Sequence, residues 1–166
     1  MRKFELVERA ENALAVGELL GTKSLKELHH PEYNFIAPRR QTPKSAGYDF
    51  YSPSDYTIEP GDVVSILTGY KVYMQDDEFL MIAIRSSLGY VGLELVNHLG
   101  IIDADFVDNE TNEGEISFRI RNNSKFVYNI KQGERMGQGV FLKYGITVDD
   151  APVNKVRTGP SGSTGK

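Results

Sequence analysis

Two groups of residues in this chain have the types and the order that suit the binding of an anion. Arg85 and Ser86 follow an apolar run together, and a planar guanidinium beside a hydroxyl can hold phosphate oxygens through paired donors. The last ten residues, RTGPSGSTGK from Arg157, combine three glycines that permit close backbone approach with the hydroxyls of Ser163 and Thr164. Each group alone is also explained by a surface salt bridge or by an unstructured tail.

Other chemistries have less support in the residues. The tail does not match a Walker A loop, because Gly159–Lys166 has the wrong spacing and no Ser or Thr follows its lysine. His29 and His30 are adjacent, so their side chains point in different directions in regular structure, which does not suit a metal site. His98 has no serine motif as a partner, and the chain contains no cysteine. A nucleophilic triad, a thiolate metal site and disulfides are therefore not expected.

Composition predicts one ordinary globular domain. The chain has 166 residues, of which 40% are hydrophobic and 25% are charged. Its net charge of -4 argues against a protein that binds duplex DNA. The apolar runs are too short to span a membrane, and the N-terminus MRKFELVERAEN lacks the apolar stretch of a signal peptide. We expect a location in the cytoplasm, or in the host cytoplasm if the gene is viral, with no nucleic-acid or membrane partner.

The elements that must position these residues are predicted to be strands. KFELV reads as a first short strand, and from Tyr48 onward β-favouring runs alternate with turn residues. These runs are YDFY, YTIE, VVSIL, YKVYM, FLMIAI, ISFRIR, FVYNI and GVFLKY. Turns are predicted at 59–62 and 132–134. Residues 8–36 are richer in Ala, Leu, Glu and Lys and predict a short helical insertion, whereas the polar residues from Asp149 predict a flexible tail.

Five segments place polar residues and glycines at the ends of these strands. They are SAGYDFYS from Ser45, IRSSLG from Ile84, GIIDADF from Gly100, GERMGQGVF from Gly133 and RTGPSGSTGK from Arg157. In this order, and over the chain from about Ala37, they resemble the five motifs of the homotrimeric dUTP diphosphatase family, within the superfamily that also contains dCTP deaminases. Asn97 also stands six positions before Asp103, as in that family.

The resemblance implies an all-β fold, a β-clip or jelly-roll-like barrel over residues 1–148, with 149–166 as a flexible phosphate-binding arm. It also implies a homotrimer with shared active sites that hydrolyses dUTP to dUMP and pyrophosphate, which limits uracil in DNA and supplies dUMP. Asp103 would be the general base for a water attacking the α-phosphate in line. Mg²⁺ would bind mainly through the phosphates, with Asp49 holding it through water.

The resemblance also assigns the residues that bind the substrate. Phosphates would be bound by residues of the second, fourth and fifth segments, namely Arg85, Ser86, Ser87, Gln138, Arg157, Ser163 and Thr164. Uracil would pair with backbone groups of a hairpin that includes Asn97, Ile101, Ile102 and Ser117. Phe106, where the family usually has Tyr, would pack against the deoxyribose and exclude a 2′-hydroxyl.

Three departures from the family pattern stand out. The residues VDNETNE lengthen the hairpin tip between Phe106 and Gly114. The fifth segment lacks the aromatic residue that stacks on uracil in the family, and losing such a stack would remove about 1–3 kcal/mol of substrate interaction. The insertion at 8–36 is open to three roles, a surface decoration, a site for a protein partner, or a lid.

Two alternatives remain open from the sequence. A dCTP deaminase has a similar second motif, but its catalytic glutamate is expected on the strand ISFRIRN, where Arg119 stands. A non-catalytic regulatory or structural protein could use the same fold, because function resides in sites rather than in folds.

Overall fold

The computed structural model of the chain describes residues 1–8 and 33–152. Within these ranges the regular structure is almost entirely strand. The strands are β1 (Lys3–Leu6), β2 (Tyr48–Tyr51), β3 (Tyr56–Ile58), β4 (Val63–Leu67), β5 (Tyr70–Tyr73), β6 (Glu78–Ile84), β7 (Leu93–Leu95), β8 (Gly100–Asp103), β9 (Ser117–Asn122), β10 (Tyr128–Ile130) and β11 (Arg135–Lys143). A short helix, α1 (Ser86–Tyr90), follows β6, and a 3-10 helix (Ala104–Phe106) follows β8.

All strand pairs are antiparallel, and most neighbours are distant in sequence. One sheet has the order β2-β11-β6-β8 and a second has the order β4-β9-β7, while β1 pairs with β5 and β3 pairs with β10. Such non-sequential neighbours are typical of jelly-roll-like folds, in which long connections cross between two sheets. The predicted all-β fold is therefore confirmed for the described residues.

The core is formed by apolar side chains from both larger sheets. Phe50 on β2, Leu80 on β6 and Phe118 on β9 are almost fully buried, and the rings of Phe50 and Phe118 lie 5.3 Å apart. Along β6, buried and partly exposed residues alternate, as expected for a strand with one face on the core. Strand β11 passes close to these side chains, since a Cβ on Gly137 would lie 2.1 Å from a ring carbon of Phe118.

The first strand is fixed to this core at several points. β1 pairs with β5, and the ring of Phe4 packs against the rings of Tyr48 and Phe141 at 5.3 and 5.7 Å. Arg2 Nε donates a hydrogen bond of 2.9 Å to Glu78, whose side chain is only 1% exposed, and this bond lowers the pKa of the Glu78 carboxyl. The strand predicted from KFELV is therefore present and anchored.

Most predicted elements lie where the residue pattern placed them. YDFY and VVSIL coincide with β2 and β4, and both predicted turns are present, with Gly61 and Gly133 at positive φ. Residues 9–32, which hold most of the predicted helical insertion, lie outside the described residues. The helices of the described part include none that is long and apolar enough to cross a membrane.

Candidate active site

A cleft of about 440 Å³ lies where the first, second and fourth of the five segments meet. Its lining contains Gln41, Ser45, Ala46, Gly47, Asp49, Arg85, Ser86, Ser87, Gln138 and Val140. Five residues predicted for substrate or metal binding are therefore brought together from three separate parts of the chain. These are Asp49, Arg85, Ser86, Ser87 and Gln138.

Pairing of three neighbouring strands explains why these residues meet. On β11, Gln138 lies opposite Asp49 of β2 on one side and Ala83 of β6 on the other. Arg85 directly follows β6, and its backbone N–H donates to the carbonyl oxygen of Met136 at 3.2 Å. The Arg85 guanidinium donates to the carbonyl oxygen of Arg135 at 3.3 Å, which holds it at the end of the sheet.

The hydroxyls of Ser86 and Ser87 extend the donor set beyond Arg85. Both serines begin α1 and are exposed, whereas Leu88 behind them is buried and fixes the helix on the core. The arginine and the hydroxyls thus lie together at one mouth of the cleft. Such a set of donors suits several oxygens of one phosphate chain.

Asp49 places a carboxylate in the cleft, and the positive charge of Arg135 compensates it. It is 9% exposed, and its Oδ2 accepts a hydrogen bond of 3.1 Å from Arg135 Nη1. A buried carboxylate is tolerated when it has such a partner. Gly47 lies beside it and leaves room for the Gln138 amide, since a Cβ on Gly47 would lie 2.5 Å from Gln138 Oε1.

The far wall of the cleft is a turn that is held by its own polar groups. Arg40 Nη1 donates to the carbonyl oxygens of Pro43 and Ser45 at 3.1 and 3.2 Å, and the Thr42 and Ser45 hydroxyls lie 2.7 Å apart. Next to this turn, Gln41 donates from Nε2 to the Tyr51 hydroxyl at 2.8 Å. Gln41 is a cleft residue that sequence reasoning missed, because nothing in the irregular segment PRRQTPK marks it.

Asp103 lies far from this cleft within one chain. It ends β8 opposite Phe79 at the start of β6, whereas Arg85 follows the other end of β6. The six residue-to-residue steps from Phe79 to Arg85 span about 20 Å at the ordinary rise of a strand. One chain therefore does not bring its own Asp103 to Arg85 and the other donors of its own cleft.

The residues predicted for the base and the sugar cluster around Asp103. Ile101 and Ile102 precede it on β8, which is an edge strand, and Ile101 is 54% exposed. Asn97 lies in the turn before β8, and its Nδ2 is 3.8 Å from the position that a Cβ on Gly100 would take. Phe106 ends the 3-10 helix after Asp103 and is buried.

Ser117, the other residue predicted to pair with uracil, is exposed at the start of β9, opposite Leu67 of β4 in the second sheet. Arg157, Ser163 and Thr164 of the fifth segment lie outside the described residues.

The residues of the cleft fit a metal ion that arrives with the phosphates. Among the described residues there is no group of three or more histidine, aspartate or glutamate side chains that could hold a metal ion by itself. Asp49 is the acidic residue in the cleft lining. This donor set suits Mg²⁺, which is bound mainly by phosphate oxygens and retained waters and needs few protein carboxylates.

The strand order, together with a cleft lined by Arg85, Ser86, Ser87 and Gln138 at the end of the β2-β11-β6-β8 sheet, fits a class of all-β proteins whose cleft suits an anionic ligand. The family model for dUTPase matches residues 33–165, and the chain belongs to the dUTPase family. The predicted family and the jelly-roll-like fold are thus confirmed.

Similar proteins agree with this assignment. The chain is 41% identical over 130 residues to a deoxyuridine 5′-triphosphate nucleotidohydrolase of Lactococcus lactis, which covers 77% of this chain and 87% of that protein. It is 36% identical over 107 residues to the protein of the same name from Variola virus, covering 64% and 67% of the two chains. The solved dUTPase from Streptococcus mutans matches with a TM-score of 0.67 at 31% identity, over 87% of this chain and 97% of that one.

Proposed function

We propose that this protein hydrolyses dUTP to dUMP and pyrophosphate, and so limits uracil in DNA and supplies dUMP in the cytoplasm. The observation that carries the proposal is the cleft, in which Arg85, Ser86 and Gln138 present donors beside the carboxylate of Asp49. These residues come from three of the five segments that resemble the motifs of the family, to which the chain belongs.

The cleft binds the phosphate chain in this proposal. Arg85 contributes a fixed positive charge, and Ser86, Ser87 and Gln138 contribute neutral donors around it. Bound through the phosphates, Mg²⁺ would offset their negative charge at the reacting phosphorus. Asp49 would hold the ion through water, and the hydrogen bond from Arg135 fixes the orientation of the Asp49 carboxylate.

Asp103 activates the attacking water, and it does so in the cleft of another copy of the chain. This follows from the separation of about 20 Å between the two ends of β6, which keeps Asp103 and Arg85 of one chain apart. A closed, symmetric assembly lets every copy give one Asp103 and receive another. With the family resemblance, this favours a homotrimer with shared sites.

The region around Asp103 provides specificity. Backbone groups from Asn97 to Ile102, together with Ser117, pair with uracil, and cytosine would leave these partners unsatisfied. Phe106 faces the deoxyribose. Arg157, Ser163 and Thr164 of the tail then close over the γ-phosphate and exclude bulk water.

The two alternatives have less support. Deamination of dCTP needs an acid–base group where Arg119 stands, and Arg119 is exposed on β9. A regulatory protein without catalysis would not need the intact set of Arg85, Asp49 and Gln138 in one cleft. A role of the 8–36 insertion in binding a protein partner is compatible with catalysis.

One assay separates these functions. The purified protein is incubated with Mg²⁺ and with dUTP, dCTP or UTP, and the release of pyrophosphate and of ammonia is followed. We expect pyrophosphate from dUTP, very little from UTP, and no ammonia. Ammonia from dCTP would support the deaminase, and no turnover of any nucleotide would support the regulatory protein.

A further inference from the structure

The segment that follows Phe106 is an ordered loop docked on the body of the protein. Residues 107–116 connect Phe106 to β9. We call them the sugar loop, because they follow Phe106, the residue proposed to face the deoxyribose. Asp108 accepts hydrogen bonds from Lys71 Nζ at 2.5 Å and from the Tyr73 hydroxyl at 2.8 Å, and Lys71 is buried. The hydrogen bond from Lys71 lowers the pKa of Asp108, so the pair is charged at neutral pH.

A second contact docks the other end of the loop. Glu115 Oε1 accepts a hydrogen bond of 2.8 Å from the backbone N–H of Gly69, just before β5. The loop is therefore held against β5 at both ends. Asp108, one of the polar residues that lengthen the loop, makes docking contacts with β5. A hairpin tip surrounded by solvent would not make such contacts.

The side chain of Asn109 makes four hydrogen bonds within the sugar loop and to Phe106. It is only 5% exposed, and its side-chain Nδ2 donates to the carbonyl oxygen of Phe106 at 2.8 Å and to Asn112 Oδ1 at 2.7 Å. Its Oδ1 accepts from the backbone N–H groups of Thr111 and Asn112, both at 3.1 Å. One buried amide thus folds the loop and ties it to the main chain of Phe106.

The sugar loop contains residues with unfavourable backbone conformations. Asp108 and Glu113 have φ of 57° and 58°, a left-handed conformation that is unfavourable for a residue with a side chain. Gly114 has φ of 82°, and a Cβ there would lie 2.6 Å from the carbonyl oxygen of Phe106. The hydrogen bonds of Asn109 offset this cost and hold the loop against Phe106.

We propose that Asn109 is a positioning residue that fixes Phe106 and thereby sets the discrimination between deoxyribose and ribose. The inference rests on the proposed function, in which the Phe106 ring faces the sugar. Rejection of a single extra hydroxyl depends on where the ring lies to within a fraction of an ångström, so it depends on what holds the Phe106 main chain.

The test uses Asn109→Asp, which keeps the acceptor Oδ1 and the shape of the side chain but removes Nδ2, the donor to both the Phe106 carbonyl oxygen and Asn112 Oδ1. The ratio of kcat/KM for dUTP to kcat/KM for UTP should fall by about tenfold, as for the loss of the one buried hydrogen bond that reaches Phe106. The change should come mainly from better use of UTP, because a looser ring admits the 2′-hydroxyl. The kcat for dUTP should stay within about twofold of the wild type.

Two further variants make the result specific. Asn123→Asp introduces the same charge at an exposed position in the turn after β9 and should leave the ratio unchanged. Asn109→Ser is neutral, can still accept from the loop backbone, and is too short to reach the Phe106 carbonyl, so it should lower the ratio as Asn109→Asp does. It also serves as the test variant if Asn109→Asp does not fold.

The outcomes separate the inference from the proposed function. An unchanged ratio in a folded Asn109 variant, or an equal loss on dUTP and UTP, would overturn the positioning role while the proposed function stands. Failure of the wild type to hydrolyse dUTP would overturn the proposed function, and the inference with it.

Discussion

Asp103 stands where a strand gives way to a 3-10 helix, and its backbone is extended, with φ of -75° and ψ of 158°. Asp103 is also exposed, at the edge of a sheet. These features suit a carboxylate that reaches beyond its own chain and accepts a proton from water.

Asp103→Asn should abolish hydrolysis of dUTP and leave binding intact, because the amide keeps the shape of the side chain and cannot accept the proton. We expect kcat to fall by about 100- to 10,000-fold, the usual contribution of a general base. Binding of a non-hydrolysable dUTP analogue, measured by calorimetry, should be unchanged. Asp62→Asn, an exposed aspartate in the turn before β4, is the control and should keep full activity. Normal turnover by Asp103→Asn would remove Asp103 from the mechanism.

Strand β11 shows how an element can form against its local sequence. The run GVFLKY predicts a strand from Gly139, but β11 begins at Arg135 and includes both Gly137 and Gly139. Glycine is a poor strand former, yet here β2 and β6 pair with the strand on its two sides, and tertiary pairing overrides the propensity. The glycines are needed because Phe118, Leu80 and Phe50 fill the space beside them.

The same reasoning explains which elements the sequence did not predict. β7 and β8 are short, and the glycines around them carry no strand signal, so only pairing with β9 and β6 identifies them. By contrast, runs such as VVSIL combine β-branched residues with alternating burial and are recognised directly. Arg85, directly after β6, and Asp49, within β2, were recognisable from the segments that contain them, whereas Gln41 is defined by a contact across the fold.

Gly137→Ala should destabilise the protein, because the new methyl group would lie 2.1 to 2.8 Å from three ring carbons of the buried Phe118. Overpacking of this kind costs about 1–3 kcal/mol in the free energy of unfolding. Chemical denaturation monitored by circular dichroism measures the change. Gly145→Ala is a matched control, since a Cβ there has nothing within 4 Å, and it should be neutral. Equal stability of the two variants would show that the Phe118 ring can move.

At the scale of the whole molecule, the site is divided between the two ends of one strand. Sequence alone identified the segments, but it did not show which of them meet within a chain. The structure places Asp49, Arg85 and Gln138 in one cleft and Asp103 about 20 Å away. In the proposed mechanism, a complete site therefore requires at least two copies, and this can be tested without a structure of the assembly.

Two inactive variants should restore each other's activity if the sites are shared. In the proposed mechanism, Arg85→Ala removes the charge that binds the phosphates, and Asp103→Asn removes the base. In a homotrimer refolded at random from equal amounts of both, about a quarter of the sites combine an intact Arg85 with an intact Asp103 from the neighbouring copy. The mixture should then regain about a quarter of the wild-type rate, while each variant refolded alone stays inactive.

The matched control is a chain that carries both substitutions, refolded with an equal amount of wild type. If the sites are shared, each active site needs a wild-type chain at both of the positions that supply Arg85 and Asp103. This mixture should therefore also show about a quarter of the wild-type rate. Sites contained within one chain would instead give about half of the rate with the doubly substituted chain and none with the two single variants. The comparison of the two mixtures thus distinguishes the arrangements even if refolding is incomplete, because both mixtures pass through the same refolding step.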